Sequence, residues 1–288
     1  MEYSEIEIEN IKKSFEITEV EFNDMFEKCK YATFYKCEPC EKPKAIFVGG
    51  QTGSGKGGID VFSEQEFKKE NKSAALVDID VYRALYPRTS EILEKYPTIY
   101  TDITAKTTGK IVKKILQYAI DNKYNFIFEG TLKNTEAFET MKAMPKYFTK
   151  IVRVMAVPKF ESLLTAFERN DEQVNLSGYG RFTNVSTHNK TYVGVLDTIK
   201  IIEQQSDDIT IEVFIRGKDM TSPIKVFNSK ENENKSWEVI EEHRAKMDKN
   251  KIDVAIIRLN KLLSNLRPKD KYEEEQLRKL ENEIKSII

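Results

Sequence analysis

At 288 residues the chain is long enough for one large domain with an appendage, or two modest domains. Hydrophobic residues at 40% and charged residues at 32% suit a water-exposed globular protein, and 46 Lys+Arg against 47 Asp+Glu exclude the global basic bias of a nucleic-acid binder. The longest apolar runs, "AIFV" and "NFIF", are far too short to span a membrane, and "MEYSEIEIENIKK" lacks the layout of a signal peptide, so no membrane contact and a cytoplasmic address are expected.

In chain order, residues 5–31 read as helical, with Phe22, Met25, Phe26 and Cys29 at three- and four-residue spacings. Pro39 and Pro43 then break the chain. Pro39 lies within "CEPC", which with Cys29 accounts for all three cysteines. One CxxC without a second ligand pair is a poor zinc site, and the stretch does not open a helix that would stabilise a thiolate. It reads as ordinary thiols in a reducing compartment. "KAIFVGG" is a short apolar run ending in glycines, as a buried parallel strand looks. "SAALVDID" is a second strand carrying Asp78 and Asp80 at its end. "TAKTTGKIVKKILQYAIDNKY" sets Ile111, Ile115, Leu116 and Ala119 on one helical face and leads into a third strand, "NFIFEGT". "KIVRVMAVP" and "ITIEVFIR" are the fourth and fifth strands, with the amphipathic helix "TYVGVLDTIKIIEQQ" between them.

Strands alternating with helices imply an α/β fold: a doubly wound, mostly parallel sheet with helices on both faces. After "NSKENENKSW", a charge-rich connector, two amphipathic helices separated at Pro268 form a C-terminal helical appendage. The expected division is residues 1–228 for the sheet domain with its N-terminal helix and 229–288 for the extension.

Chemistry gathers just past the strand ends, where open α/β sheets bind ligands. In "FVGGQTGSGKGG", Gly50, four residues, Gly55 and Lys56 fit the phosphate-loop pattern G-x-x-x-x-G-K between a strand and a helix. Such a loop curls backbone N–H groups around phosphates while the lysine neutralises them. Gly50, Gly53, Ser54, Gly55, Lys56, Gly57 and Gly58 are thus the expected binders of ATP or GTP. The position after the lysine normally carries the Ser or Thr that holds magnesium, and here it is Gly57. Two glycines also weaken the helix start, by about 1 kcal/mol each relative to alanine.

Asp80 is the candidate base, a carboxylate to orient and deprotonate an acceptor hydroxyl. Asp78 lies two residues earlier, which on a strand puts both side chains on one face, so that one can bind Mg2+ while the other meets the substrate. Glu129 supplies a further carboxylate for metal or substrate, and Thr131 a hydroxyl contact. Arg169, in the helical "FESLLTAFERN", and Arg181, in the loop-like "NLSGYGRFTN", can clamp transferring phosphoryl charge. The two histidines, His188 and His243, suggest no nucleophile–base pair.

Taken in order, "FVGGQTGSGK", "VDIDVYRALYP", "YNFIFEGT", "VMAVPKFESLLTAFER" and "GRF" followed by His188 resemble the zeta toxins of toxin–antitoxin systems, over roughly residues 15–220. These are P-loop kinases of UDP-N-acetylglucosamine. The resemblance implies phosphorylation of the sugar 3′-hydroxyl by ATP or GTP, inhibition of cell-wall synthesis, and a small helical antitoxin that blocks the nucleotide site. It gives Lys56 the phosphate-binding role, Asp80 the base role, Arg169 and Arg181 the clamping role, and places Glu129 and Thr131 in the substrate-pocket wall. Two departures stand out: Gly57, and Lys113 where zeta toxins carry a substrate-binding glutamate. Lys113 suits an acceptor bearing negative charge, so a kinase of another nucleotide sugar or small hydroxylated acceptor stays open. So does a nucleotide-binding protein with weakened or lost catalysis.

Overall fold

The computed structural model describes residues 3–217, 222–246, 249–265, 269 and 271–286. Pro268, expected to separate two C-terminal helices, lies outside them.

The first expected helix is two. Helix α1 (Glu5–Ser14) and helix α2 (Glu19–Phe34) each open on a capping box, Ser4 with Glu7 and Thr18 with Glu21. Each box satisfies two otherwise orphaned N–H groups, so a second box inside one continuous helix starts a new one. The break is fixed from outside, because Phe15 is buried and its carbonyl accepts a hydrogen bond of 2.7 Å from the Tyr86 hydroxyl.

Strand β1 (Lys44–Gly49) runs into the glycine loop and helix α3 (Lys56–Lys69). Strand β2 (Ala75–Asp78) is followed at once by helices α4 (Ile79–Ala84) and α5 (Thr89–Lys95), then by the long helix α6 (Tyr100–Asp121). Next come strand β3 (Phe126–Glu129), helix α7 (Glu136–Ala143), strand β4 (Thr149–Met155), and helices α8 (Lys159–Ser177) and α9 (Val185–Gln205). Strands β5 (Ile209–Arg216) and β6 (Pro223–Asn228) precede helices α10 (Ser236–Ala245), α11 (Lys249–Leu263) and α12 (Lys271–Lys285).

The six strands lie in the order β2-β3-β1-β4-β5-β6, all parallel except β6. β6 went unread because "PIKVFN" opens on proline and only one of its six residues is buried, which suits an edge strand. β1 lies between β3 and β4, so the chain leaves it for opposite sides of the sheet, and the crevice at its carboxyl end is the topological switch point. Alternation along β1 serves both faces. Ala45 and Phe47 join one core with Ile111 and Ile115 of α6 and Ile199 of α9, while Ile46 and Val48 join another with Ile59 of α3.

The first of the two helices expected in the C-terminal appendage, before Pro268, is the separate elements α10 and α11. α10 packs on α9 and β5, and α11 and α12 pack on α8. Phe160, Leu163 and Phe167 of α8 meet Leu259 and Leu262 of α11 and Leu277 and Leu280 of α12 in a third apolar cluster. No described helix is long and apolar enough to cross a membrane.

Candidate active site

The glycine loop occupies the switch point with a backbone only glycines hold comfortably. Gly53 has φ +75, and a Cβ there would lie 2.0 Å from the Ser162 carbonyl oxygen. Gly55 is the left-handed N-cap of α3, so Lys56, Gly57 and Gly58 form the helix's first turn, and Gly50 also has positive φ. A Cβ at Gly57 would meet nothing within 4 Å, so the fold does not require glycine there.

Arg216, the last residue of β5, grips the loop from outside. Its Nε donates to the Ser54 carbonyl at 3.0 Å, its Nη2 donates to the Gly53 carbonyl, and its Nη1 reaches the Thr165 hydroxyl at 3.2 Å. N–H and C=O point opposite ways across a trans peptide, so a carbonyl held outward turns the next N–H, that of Gly55, inward. The buried Gln51 fixes the near end. Its Nε2 donates to the Val157 carbonyl at 3.2 Å and to Ser162 Oγ at 3.1 Å, while Arg244 of α10 approaches its Oε1 at 3.4 Å. Neither Arg216 nor Gln51 was singled out from the sequence, although Arg216 stands at the same strand edge that flagged the other polar residues.

Ser162 also meets His188 Nε2, at 2.9 Å. Burial pushes the His188 imidazole down from its ordinary 6.5 to about 4, so it folds neutral. A folded pKa below the unfolded one gives stability that is fully present above about 6.5 and lost as pH falls through about 4. His188→Gln is therefore expected to remove on the order of 3 kcal/mol of acid sensitivity across this window. Urea denaturation of both proteins at several pH values measures it; parallel pH profiles would contradict it.

In front of the loop opens a cleft of about 1190 Å3. That slightly exceeds the roughly 300–1,000 Å3 of small-molecule sites and gives room for two ligands. Its lining brings together Lys56, Asp78, Asp80, Lys113, Glu129, Thr131, Arg169 and Arg181. Lys56 Nζ lies 3.9 Å from Glu129 Oε1 and donates to the Gln51 carbonyl at 3.4 Å. Burial lowers its pKa and the Glu129 charge partly offsets that. Lys113 stands exposed on α6, and the Thr131 carbonyl accepts from the Gly50 N–H at 3.3 Å.

The strand argument for the aspartates is overturned. β2 ends at Asp78, whose side chain caps α4 by accepting from the Asp80 N–H at 2.8 Å, so Asp80 sits in the first turn of a helix. Asp N-caps are favoured for this reason, and the strand stops where the cap begins. Burial, first of all, raises the Asp78 pKa. Asp80 Oδ1 pairs with Arg83 Nη1 at 2.7 Å, and its Oδ2 pairs with Arg181 from the loop after α8. Arg169, on α8, has a buried Nε without a partner. Its pKa is lowered by burial and then by the Arg181 charge.

Behind Lys56 lies a residue the sequence reading passed over. Asp60 is 5% exposed, its Oδ1 has no hydrogen-bond partner, and it stands one helical turn beyond Lys56. Burial, then hydrogen bonding with Glu129, pushes its carboxyl up to about 9. Among the described residues no group of three or more His, Cys, Asp or Glu side chains is arranged to hold a metal. Magnesium bound with a nucleotide needs fewer, because phosphates and waters supply most of its oxygens. An orphaned carboxylate oxygen beside Glu129 fits such an ion.

The zeta toxin family model matches residues 29–232. Toxin PezT of Streptococcus pneumoniae is 24% identical over 230 residues, covering 77% of this chain and 88% of its own length. Toxin zeta of Streptococcus agalactiae is 29% identical over 157 residues, 54% of this chain and 53% of its own length, so this chain matches about half of it. Among solved structures, one from the PezAT chromosomal toxin–antitoxin system of Streptococcus pneumoniae superposes with TM-score 0.74 at 21% identity, covering 87% of this chain and all of that one. AvrRxo1-ORF1:-ORF2 with ATP superposes with TM-score 0.57 at 12% identity over 99% of this chain and 91% of that one.

Proposed function

This chain belongs to the zeta toxin family, and from that premise we propose that it is a P-loop kinase transferring the γ-phosphoryl group of ATP or GTP to the sugar 3′-hydroxyl of UDP-N-acetylglucosamine. One observation carries the reading: Lys56, Asp80, Arg169 and Arg181, drawn from four separate segments, face one cleft at the switch point.

Each has a definite task. The loop's inward N–H groups and the Lys56 ammonium receive the β- and γ-phosphates, with Arg216 and Gln51 holding the backbone in shape. Arg169 and Arg181 place cationic forks where charge spreads over the transferring group. Arg181 is half exposed on its loop and in this state holds Asp80 Oδ2. A nucleotide's phosphates would draw it away and free that oxygen to take the acceptor proton, while Arg83 keeps Asp80 in position. When bound, magnesium neutralises charge on the β- and γ-phosphates. Of the pair expected to hold it, Asp78 gives one oxygen to the Asp80 amide and Asp80 gives both to arginines, so Asp78 is the better placed.

Lys113 in the cleft wall favours a second reading, a nucleotide sugar or small hydroxylated acceptor with more negative charge. Incubation with ATP, magnesium and a panel of acceptors, followed by mass spectrometry, separates the two. UDP-N-acetylglucosamine gaining one phosphoryl group supports the first reading, and selective phosphorylation of a more acidic acceptor supports the second. ATP binding without any phosphorylated acceptor would leave a nucleotide-binding protein. PezAT is a toxin–antitoxin system, and a small helical antitoxin covering the nucleotide site is the partner this reading implies.

A further inference from the structure

We propose that Asp60 is a second carboxylate, beside Asp78, that holds the nucleotide's magnesium ion, in place of the hydroxyl that position 57 lacks. The inference rests on reading the glycine loop as a nucleotide site.

A phosphate loop normally supplies a Ser or Thr hydroxyl to the metal from the residue after its lysine. Gly57 has none, and a Cβ built there meets nothing within 4 Å, so no other side chain has grown into that space. Asp60 stands on the same helix four residues beyond Lys56, a spacing that puts the two side chains on one helical face.

Its oxygen is in want of a partner. Asp60 is 5% exposed and its Oδ1 is shielded from water without a hydrogen bond. Leaving a buried carboxyl oxygen unsatisfied is costly, and a bound ion is one of the few things that completes such a group in a folded chain. The charges acting on Asp60 are those of Glu129, Lys56 and Asp78. Three carboxyl groups thus crowd one ammonium, and Lys56 already shares its charge with Glu129 and the Gln51 carbonyl. Arriving phosphates would claim Lys56 and add negative charge of their own. A divalent cation bound through oxygens offsets both, and magnesium commonly takes only one or two protein carboxylates beside the phosphates. Asp80 is less suited, since both its oxygens are held by Arg83 and Arg181.

The test is a double-mutant cycle on the full chain, read by metal affinity. ADP affinity is measured calorimetrically in EDTA, and Mn2+ affinity of the protein–ADP complex by the loss of free Mn2+ signal in electron paramagnetic resonance. Asp60→Asn, which keeps the side chain's shape, is expected to weaken Mn2+ binding by about tenfold or more. ADP binding in EDTA should persist, which reports that the loop is folded. Gly57→Thr should restore Mn2+ binding in the Asp60→Asn background and add much less to the wild type. Unchanged Mn2+ affinity in Asp60→Asn overturns the proposal, as does an equal gain from Gly57→Thr in both backgrounds. Wild-type ADP binding in EDTA without any strengthening by Mn2+ also overturns it while sparing the nucleotide site. No ADP binding under any condition overturns both.

Discussion

Asp80→Ala is expected to lower phosphoryl transfer by about two to four orders of magnitude at saturating substrates, the usual worth of a positioned general base. The expectation comes from how much structure is spent on that one carboxylate. Asp78 caps the turn that carries it, Arg83 holds Oδ1 at 2.7 Å, and Arg181 reaches Oδ2 from 101 residues away in sequence. Nucleotide affinity should change little, because the proposed phosphate contacts are those of the loop and Lys56. Initial rates and ADP affinity, measured on the same preparation, separate these effects. Unchanged turnover would rule out Asp80 as the base. Asp80→Asn is the stricter comparison, since it keeps a partner for Arg83 while removing the capacity to accept a proton.

Arg153→Ala is expected to cost about 3–5 kcal/mol of stability, the range for breaking a buried ion pair from one side. Arg153 is 2% exposed on β4, beneath the helix that follows the phosphate loop. Its Nε donates to Glu212 at 2.8 Å, its Nη1 to Ser63 at 2.6 Å, and its Nη2 pairs with Glu66. Truncation leaves Glu212, itself 4% exposed, paired with Lys225 at 2.6 Å and strips α3 of two tethers. For a chain of this size a loss of that order lowers the melting temperature by roughly 10 °C. Urea denaturation provides the measurement. A change within about 0.5 kcal/mol, the range of ordinary surface substitutions, would mean that Lys225 alone satisfies Glu212.

The sheet was legible because parallel strands covered on both faces must be apolar, and "KAIFVGG", "NFIFEGT" and "ITIEVFIR" are. The glycine loop was legible because its backbone demands leave a mark in residue type, as Gly53 and Gly55 do. What escaped was set by contacts distant in sequence or by local caps that outrank periodicity. Residues 5–31 carry a continuous helical pattern, yet Thr18 and Glu21 start a second helix inside it. Asp78 looks like a strand residue until its side chain is seen capping α4. Arg216 and Gln51 hold the loop through carbonyls and hydroxyls more than a hundred residues away, and no local pattern records such a bond. Asp60 was hidden differently. A lone aspartate on a helix reads as solvated surface, and only its burial against Glu129 and Lys56 marks it.

The proposed reaction moves a phosphoryl group from a nucleotide to a sugar hydroxyl in this cleft. Phosphorus-31 magnetic resonance follows that transfer directly, with the chain, ATP, magnesium and UDP-N-acetylglucosamine in one tube and Lys56→Ala as the paired control. The expected result is loss of the ATP γ resonance and growth of a sugar phosphomonoester signal with the wild type, and neither with Lys56→Ala. An intact γ resonance with the wild type, or inorganic phosphate as the sole new species, would contradict it.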